Sequence, residues 1–231
     1  MHWEVISNNF EYLLWGAYPR GPLGGLAMSI LMALGGIFGA FWLGLVVGLM
    51  RLSQKAWLRI PALVYIEIIR GTPLLMLIFW FYFLAPVLLG KSLPGAQSAM
   101  ISLIVFTSAF VAEILRAGVL SLPKGQMEAA RGSGLSHFQT MVHIILPQAL
   151  FNMIPSFVNQ FVSLTKDTSL AFIIGVNELT KAATQVNSRT MKAPGEIFLT
   201  IALLYFVICF VLTHASRRLE ARINRYQARN R

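Results

Sequence analysis

The sequence predicts an all-α integral membrane protein, a bundle of five transmembrane helices. Three observations carry that prediction. The 231 residues are 56% apolar and only 12% charged, far below the roughly one-quarter charged share of soluble domains. Mean hydropathy is +0.66. The apolar residues also gather into five stretches, each near the ~20 residues that a bilayer crossing needs. One membrane domain fits this length better than two soluble ones.

The stretches follow in order. The first, 26–49, is uncharged. Gly36, Ala40, Gly44 and Gly48 recur along it at four-residue spacing. Small residues on one face let helices approach closely in lipid, either within the bundle or across a dimer. The second, 61–84, contains Glu67 and Arg70, and the third, 99–120, carries Glu113 and Arg116 near its end. The fourth is apolar from 144 to Thr165, meets Lys166 and Asp167, and continues to Val176. The fifth covers 197–215.

Charge orients them. Arg51, Lys55 and Arg59 follow the first span, and Arg116, Lys124 and Arg131 accompany the end of the third. Arg217, Arg218, Arg222, Arg225, Arg229 and Arg231 follow the fifth. The opposite side holds fewer cations: Arg20, Lys91, Lys181, Arg189 and Lys192. The richer side is expected to be cytoplasmic, which puts the N-terminus outside and the C-terminus inside. The net charge of +10 is thus a topology signal. Its cations lie between apolar runs and not on one face, against a nucleic-acid partner. The single cysteine, Cys209, excludes a disulfide framework, and no adjacent cation activates it as a nucleophile. Glu4 and Glu11 stand where a cleavable signal would carry basic residues.

The segment 128–147, EAARGSGLSHFQTMVHIILP, has a polar first half in an otherwise apolar chain. Pro123 suits a first helical turn, and helix formers run from Gln126 to Arg131. Gly132 and Gly134 suit a stop. Ser136 and Gln139 have capping-box spacing for a second helix, which Pro147 kinks or restarts. A plain connector lying on headgroups has this composition too.

The same segment resembles the EAA loop of ABC importer permeases: EAA, three residues, Gly, nine residues, Ile-x-Leu-Pro. Glu128, Ala129, Ala130, Gly134, Ile144, Leu146 and Pro147 fall on that pattern without a gap. Arg70-Gly71-Thr72-Pro73, Ala112-Glu113-x-x-Arg116-Ala117-Gly118, Lys124-Gly125-Gln126 and Lys166-Asp167-Thr168-Ser169-Leu170 resemble the polar amino-acid uptake branch. The likeness runs from about 24 to 218. It implies a type I importer permease without its own ATPase, in a bacterial inner membrane. Residues 1–22 would be a periplasmic segment, 23–216 the transmembrane domain with its coupling loop at 121–147, and 217–231 a basic cytoplasmic tail. Implied partners are two ABC ATPase subunits, a second permease (identical or sister), a periplasmic or lipid-anchored amino-acid-binding protein, and membrane lipid. ATP and magnesium belong on the ATPase, leaving this chain without a cofactor. The one Walker-like fragment, APVLLGKS at 85–92, lacks the first glycine and falls on the outer side. Lys124, Gln126, Glu128, Ala129, Ala130, Arg131 and Gly134 are the expected ATPase-coupling residues.

Charges within spans are functional candidates, because an unpaired charge in hydrocarbon costs at least a few kcal/mol. Glu113 and Arg116 have the spacing of a pair along one helix. Glu67 and Arg70 repeat it, but lie deeper and precede a Gly-Thr-Pro break. Irregular backbone at depth is tolerated where it lines a cavity. Lys166 and Asp167 point about 100° apart on a helix, so each needs another partner. A zwitterion offers both signs; so does a four-charge network with Glu67 and Arg70. The expected substrate-binding residues are therefore Glu67, Arg70, Gly71, Thr72, Lys166, Asp167 and Thr168, with Arg70 or Lys166 on the α-carboxylate and Glu67 or Asp167 on the α-ammonium. The resemblance leans to glutamate, aspartate or glutamine. The aromatic run 79–83 adds no acid for a cationic side chain. A proton-coupled secondary transporter or channel is the competing reading, disfavoured by the absence of an internal repeat. A membrane enzyme fares worse: His2, His137, His143 and His214 are scattered without a convergent site.

Overall fold

The computed structural model describes residues 2–229, with side chains through residue 218. Helix α1 (Trp3–Trp15) leads to α2 (Gly25–Leu52), and α3 (Ala56–Gly71) is followed by α4 (Leu74–Phe79). A π-helical turn at Trp80–Leu84 joins α4 to α5 (Ala85–Leu89), after which α6 spans Gly95–Leu120. The short α7 (Lys124–Gly132) and α8 (His137–Thr140) precede a second π turn, Met141–Ile145, and α9 (Leu146–Asp167). A 3-10 helix, Thr168–Ile174, then α10 (Leu179–Thr190) and α11 (Pro194–Arg229) complete the chain. No strand ladder forms among the described residues.

The core is built on α2 and α6. A Cβ on Gly44 would stand 2.5 Å from Val111 Cβ and 2.8 Å from Ser108 O. Gly36 faces Leu103, and Gly48 faces Leu115 and Ala112. The glycine row therefore packs inside the bundle, where backbones meet without side chains between them. The opposite ridge of α2, Leu34, Phe38 and Trp42, is exposed, as a lipid-facing helix requires.

These contacts also fix direction. Residues 36 to 48 of α2 meet 103 to 115 of α6 in ascending order, so the two helices run parallel. The chain leaving α2 must then return to the starting side before α6 begins. Only the α3–α5 segment can make that crossing. It is therefore one broken span, bent by 106° around residues 72–73, at the expected Gly-Thr-Pro break, and it reaches past both ends of the expected stretch 61–84. On α9, Met153 lies against Gly118 and Leu164 against Gly36, so α9 runs antiparallel to α6. With α11, apolar over Pro194–Arg218, the crossings number five. The N-terminal helix lies at one end of the bundle. The α7–α8 segment and the end of α11 lie at the other.

Three further elements reach beyond the apolar stretches. Residues 1–22 include a helix, α1, whose Ile6 and Leu13 pack with Leu179, Ala183 and Val186 of α10 and Ile197 and Ile201 of α11. The fourth span begins at His137 and reaches Ile174 as one 38-residue rod. The last helix extends past 215 to Arg229, although the basic tail's side chains beyond 218 lie outside the described residues.

Candidate functional site

At the end opposite α1, the polar segment forms a helix, a left-handed glycine and a second helix. Pro123 stands at the N-cap of α7, one position before the expected first turn. The helix closes in a Schellman pattern: Leu135 N–H donates to Ala130 O at 3.3 Å and Gly134 N–H to Arg131 O at 3.0 Å. Gly134 takes φ +85°, a region glycine enters without a Cβ penalty. The capping box is present. Gln139 N–H donates to Ser136 Oγ at 3.2 Å, and Ser136 N–H to Gln139 Oε1 at 2.9 Å.

The helix is amphipathic at close quarters. Ala130 is buried and Met127 packs toward Ile145 and Ala149. Lys124, Glu128, Ala129, Arg131 and Gly134 are exposed, and Gln126 is half-buried. Thus Ala130 seats the helix on its own bundle, while its neighbours face outward. Phe138 on α8 is 74% exposed, an aromatic beside this polar face. Where Pro147 lacks an N–H, the widened π turn just before it relieves the ring's clash with the preceding turn. The helix passes through without a break.

Within the bundle, Glu113 and Arg116 form the ion pair, with Arg116 Nη2 to Glu113 Oε1 at 2.6 Å. Glu67 and Arg70 do not. Arg70 lies over the Phe110 ring, 5.5 Å from its centroid, and both Glu67 and Arg70 are exposed on the isolated chain. Phe110 sits near the middle of α6, so Arg70 stands near mid-depth. Thr72 closes the break, its Oγ1 donating to Ile68 O at 2.8 Å and its N–H to Ile69 O at 3.2 Å. A Cβ on Gly71 would meet nothing, so the backbone there is open.

Lys166 is exposed, Asp167 half-buried and Thr168 buried, with Thr168 Oγ1 donating to Thr165 O at 2.8 Å. Leu164, one turn earlier, packs with Leu103 and Gly36. That is roughly 10 Å along α6 from the level of Phe110, at 1.5 Å per residue. No ion pair joins Lys166 or Asp167 to Glu67 or Arg70 among the described residues. The four-charge network is absent, because α3 packs on α2 and α6 whereas α9 packs on α2, α6 and α11. The charges stay unspent within one chain.

One buried acid escaped the sequence reading. Glu178 is fully buried at the N-cap of α10. Its Oε1 accepts Lys181 N–H at 2.8 Å, and its Oε2 accepts Thr180 N–H at 2.9 Å and Tyr205 O–H at 3.0 Å. Burial holds its carboxyl above the usual range and outweighs those donors, which pull it down. Its only sequence signal is an acid placed before a helical run.

Comparison with known proteins places this geometry. Residues 40–225 match the family described as binding-protein-dependent transport system inner membrane component. The chain is 41% identical to the probable glutamine ABC transporter permease protein GlnP of Bacillus subtilis, over 90% of this chain and 97% of that one. It is 37% identical to the L-cystine transport system permease protein TcyB of Bacillus subtilis, over 98% and 93%. Among solved structures it resembles a chain from the crystal structure of an amino acid ABC transporter with histidines, with TM-score 0.80 and 32% identity over 86% of this chain and 92% of that one.

Proposed function

The chain belongs to the family of binding-protein-dependent transport system inner membrane components, and within it we propose a permease subunit of an ATP-driven importer for polar amino acids, leaning to glutamine, glutamate or aspartate. It is a multi-pass inner-membrane transport component and not an enzyme. Family membership brings an ATPase on a separate subunit, a second permease and a substrate-binding protein. We assign the N-terminus and α1 to the outer side and α7 to the cytoplasm, on the distribution of Lys and Arg.

The observation that carries the reading is the exposure of Arg70, Glu67 and Lys166 on helices that cross the bilayer. Lipid cannot cover such charges cheaply. A water-filled cavity between two permeases can, and a zwitterion entering it finds both signs. Arg70 or Lys166 would hold the α-carboxylate, and Glu67 or Asp167 the α-ammonium. Gly71, Thr72 and Thr168 would shape the backbone around them. ATP and magnesium bind the ATPase, whose closure draws the two α7 helices together and opens the cavity outward. The coupling is a difference in partner contacts between two bundle states. Lys124, Gln126, Glu128, Ala129, Arg131 and Gly134 form that contact, with Ala130 beneath them.

Uptake of radiolabelled glutamine, glutamate, cystine, arginine and histidine into vesicles carrying the whole importer, with its binding protein, tests the class. Preferred glutamine or acidic amino-acid uptake supports the lean. Preferred arginine uptake overturns it, and uptake that survives ATP depletion overturns the importer itself.

A further inference from the structure

We propose that Glu178 is a positioning residue for transport: it clamps the outer end of the ribbon that carries Asp167 and Thr168 to the first and last spans. The proposal rests on reading Lys166 and Asp167, which lead into Thr168, as substrate-facing. The ribbon is the 3-10 helix Thr168–Ile174 and its exit at Gly175. Its apolar side, Ala171, Ile174 and Val176, is sunk into the α2–α6 core. That packing reaches its last residues, and Glu178 fixes the point just beyond them, where the chain turns into α10.

Three separate elements converge on this carboxylate. From α10 come the N–H groups of Thr180 and Lys181. From α11 comes the Tyr205 hydroxyl. From α2 comes Ser29, whose Oγ accepts Leu179 N–H at 3.1 Å and lies 3.5 Å from Glu178 Oε2. One residue upstream the backbone joins in, with Gly25 N–H donating to Asn177 O at 2.9 Å. A Cβ on Gly25 would strike the Leu13 carbonyl of α1, so α1 is locked to the same point. A plain helix cap needs only the two α10 donors. The contacts to Tyr205 and Ser29, 27 and 149 residues away in sequence, exceed what capping requires. They make the ribbon, α2 and α11 one body at the outer end.

The test uses the assembled importer in liposomes. In a Cys209→Ser, Thr168→Cys chain, residue 168 should react slowly with an impermeant thiol reagent, since Thr168 is fully buried. Adding Tyr205→Phe, which spares the α10 cap, should raise that rate roughly tenfold by local opening. Glu178→Ala should do the same, with Glu178→Gln intermediate. In chains that retain Thr168, Tyr205→Phe should lower the turnover of glutamine uptake while leaving KM for the loaded binding protein, subunit ratio and unstimulated ATPase unchanged. Equal labelling in all variants overturns the clamp, and so does wild-type turnover in Tyr205→Phe. If Glu178→Ala fails to assemble, Tyr205→Phe decides alone. Asp167→Asn is the separate arm: unchanged KM and preference there overturn the site reading, and the labelling still decides whether Glu178 holds the ribbon.

Discussion

Arg70 is a cation on a membrane-crossing segment with an aromatic ring beneath it. Its guanidinium rests on Phe110, an interaction worth about 0.5–2 kcal/mol, and among the described residues it makes no salt bridge within 4.0 Å of a carboxylate. Arg70→Ala is expected to abolish amino-acid uptake in vesicles while the importer assembles and hydrolyses ATP at its basal rate. Wild-type uptake would remove Arg70 from the pathway. Glu178 adds a pH dependence. Burial raises its pKa, so its stabilising contribution is complete below the ordinary glutamate value of about 4.3 and is lost as pH rises through the raised value. The thermal midpoint of the detergent-solubilised protein should therefore fall as pH rises above the ordinary glutamate value, and fall less in Glu178→Gln. The two residues differ in how legible they were. Arg70 announces itself as a cation in an apolar run. Glu178 sits among polar residues, and its meaning lies in Ser29 and Tyr205, which only the fold brings near. The missing Glu67–Arg70 pair was equally hidden, because i,i+3 spacing permits a pair without dictating one when an aromatic ring offers itself instead.

At the scale of elements, local chemistry wrote the α7–α8 segment clearly. The capping box, the glycine stop and the helix formers each act within a few residues, and each forms. Gly134→Val should uncouple ATP hydrolysis from uptake without blocking assembly. A β-branched residue resists φ +85°, yet open space surrounds the position, so the expected cost of about 1–3 kcal/mol is local strain and not a clash. Coupled transport at the wild-type ratio would show that the turn has no role in transmission. In a Cys209→Ser background, single cysteines at Gln126, Arg131 and Gly132 should cross-link to the ATPase in a nucleotide-dependent manner. Labelling by lipid-phase reagents alone would mean α7 is a headgroup connector. Long-range elements were less legible. Helices α1 and α10 are short and amphipathic, and their apolar faces make sense only against each other and α11. The 106° bend was signalled by Gly71-Thr72-Pro73, but a proline reports a break and not its angle.

Across the bundle, hydropathy alone marked five apolar runs, four of which form helices long enough to cross by themselves. The parallel course of α2 and α6 then makes the broken pair a crossing. Cysteines at Lys91 and Ser188 should react with an impermeant reagent in intact cells, and cysteines at Lys55 and Gly125 only after lysis. The reverse pattern would invert the assigned orientation.

The glycine seam between α2 and α6 has a mechanical consequence. Val111 sits where a Gly44 side chain would be, so neither helix can slide along the other without one backbone riding up over a side chain. Sliding is blocked, and the pair is left to rotate as a plate about 40 Å long, from 28 residues at about 1.5 Å each. A tilt of a few degrees applied where α7 meets the bundle becomes an excursion of several ångströms at the far rim. The compliance must then reside in the joints around the plate: the elbow at residues 72–73 and the two π turns.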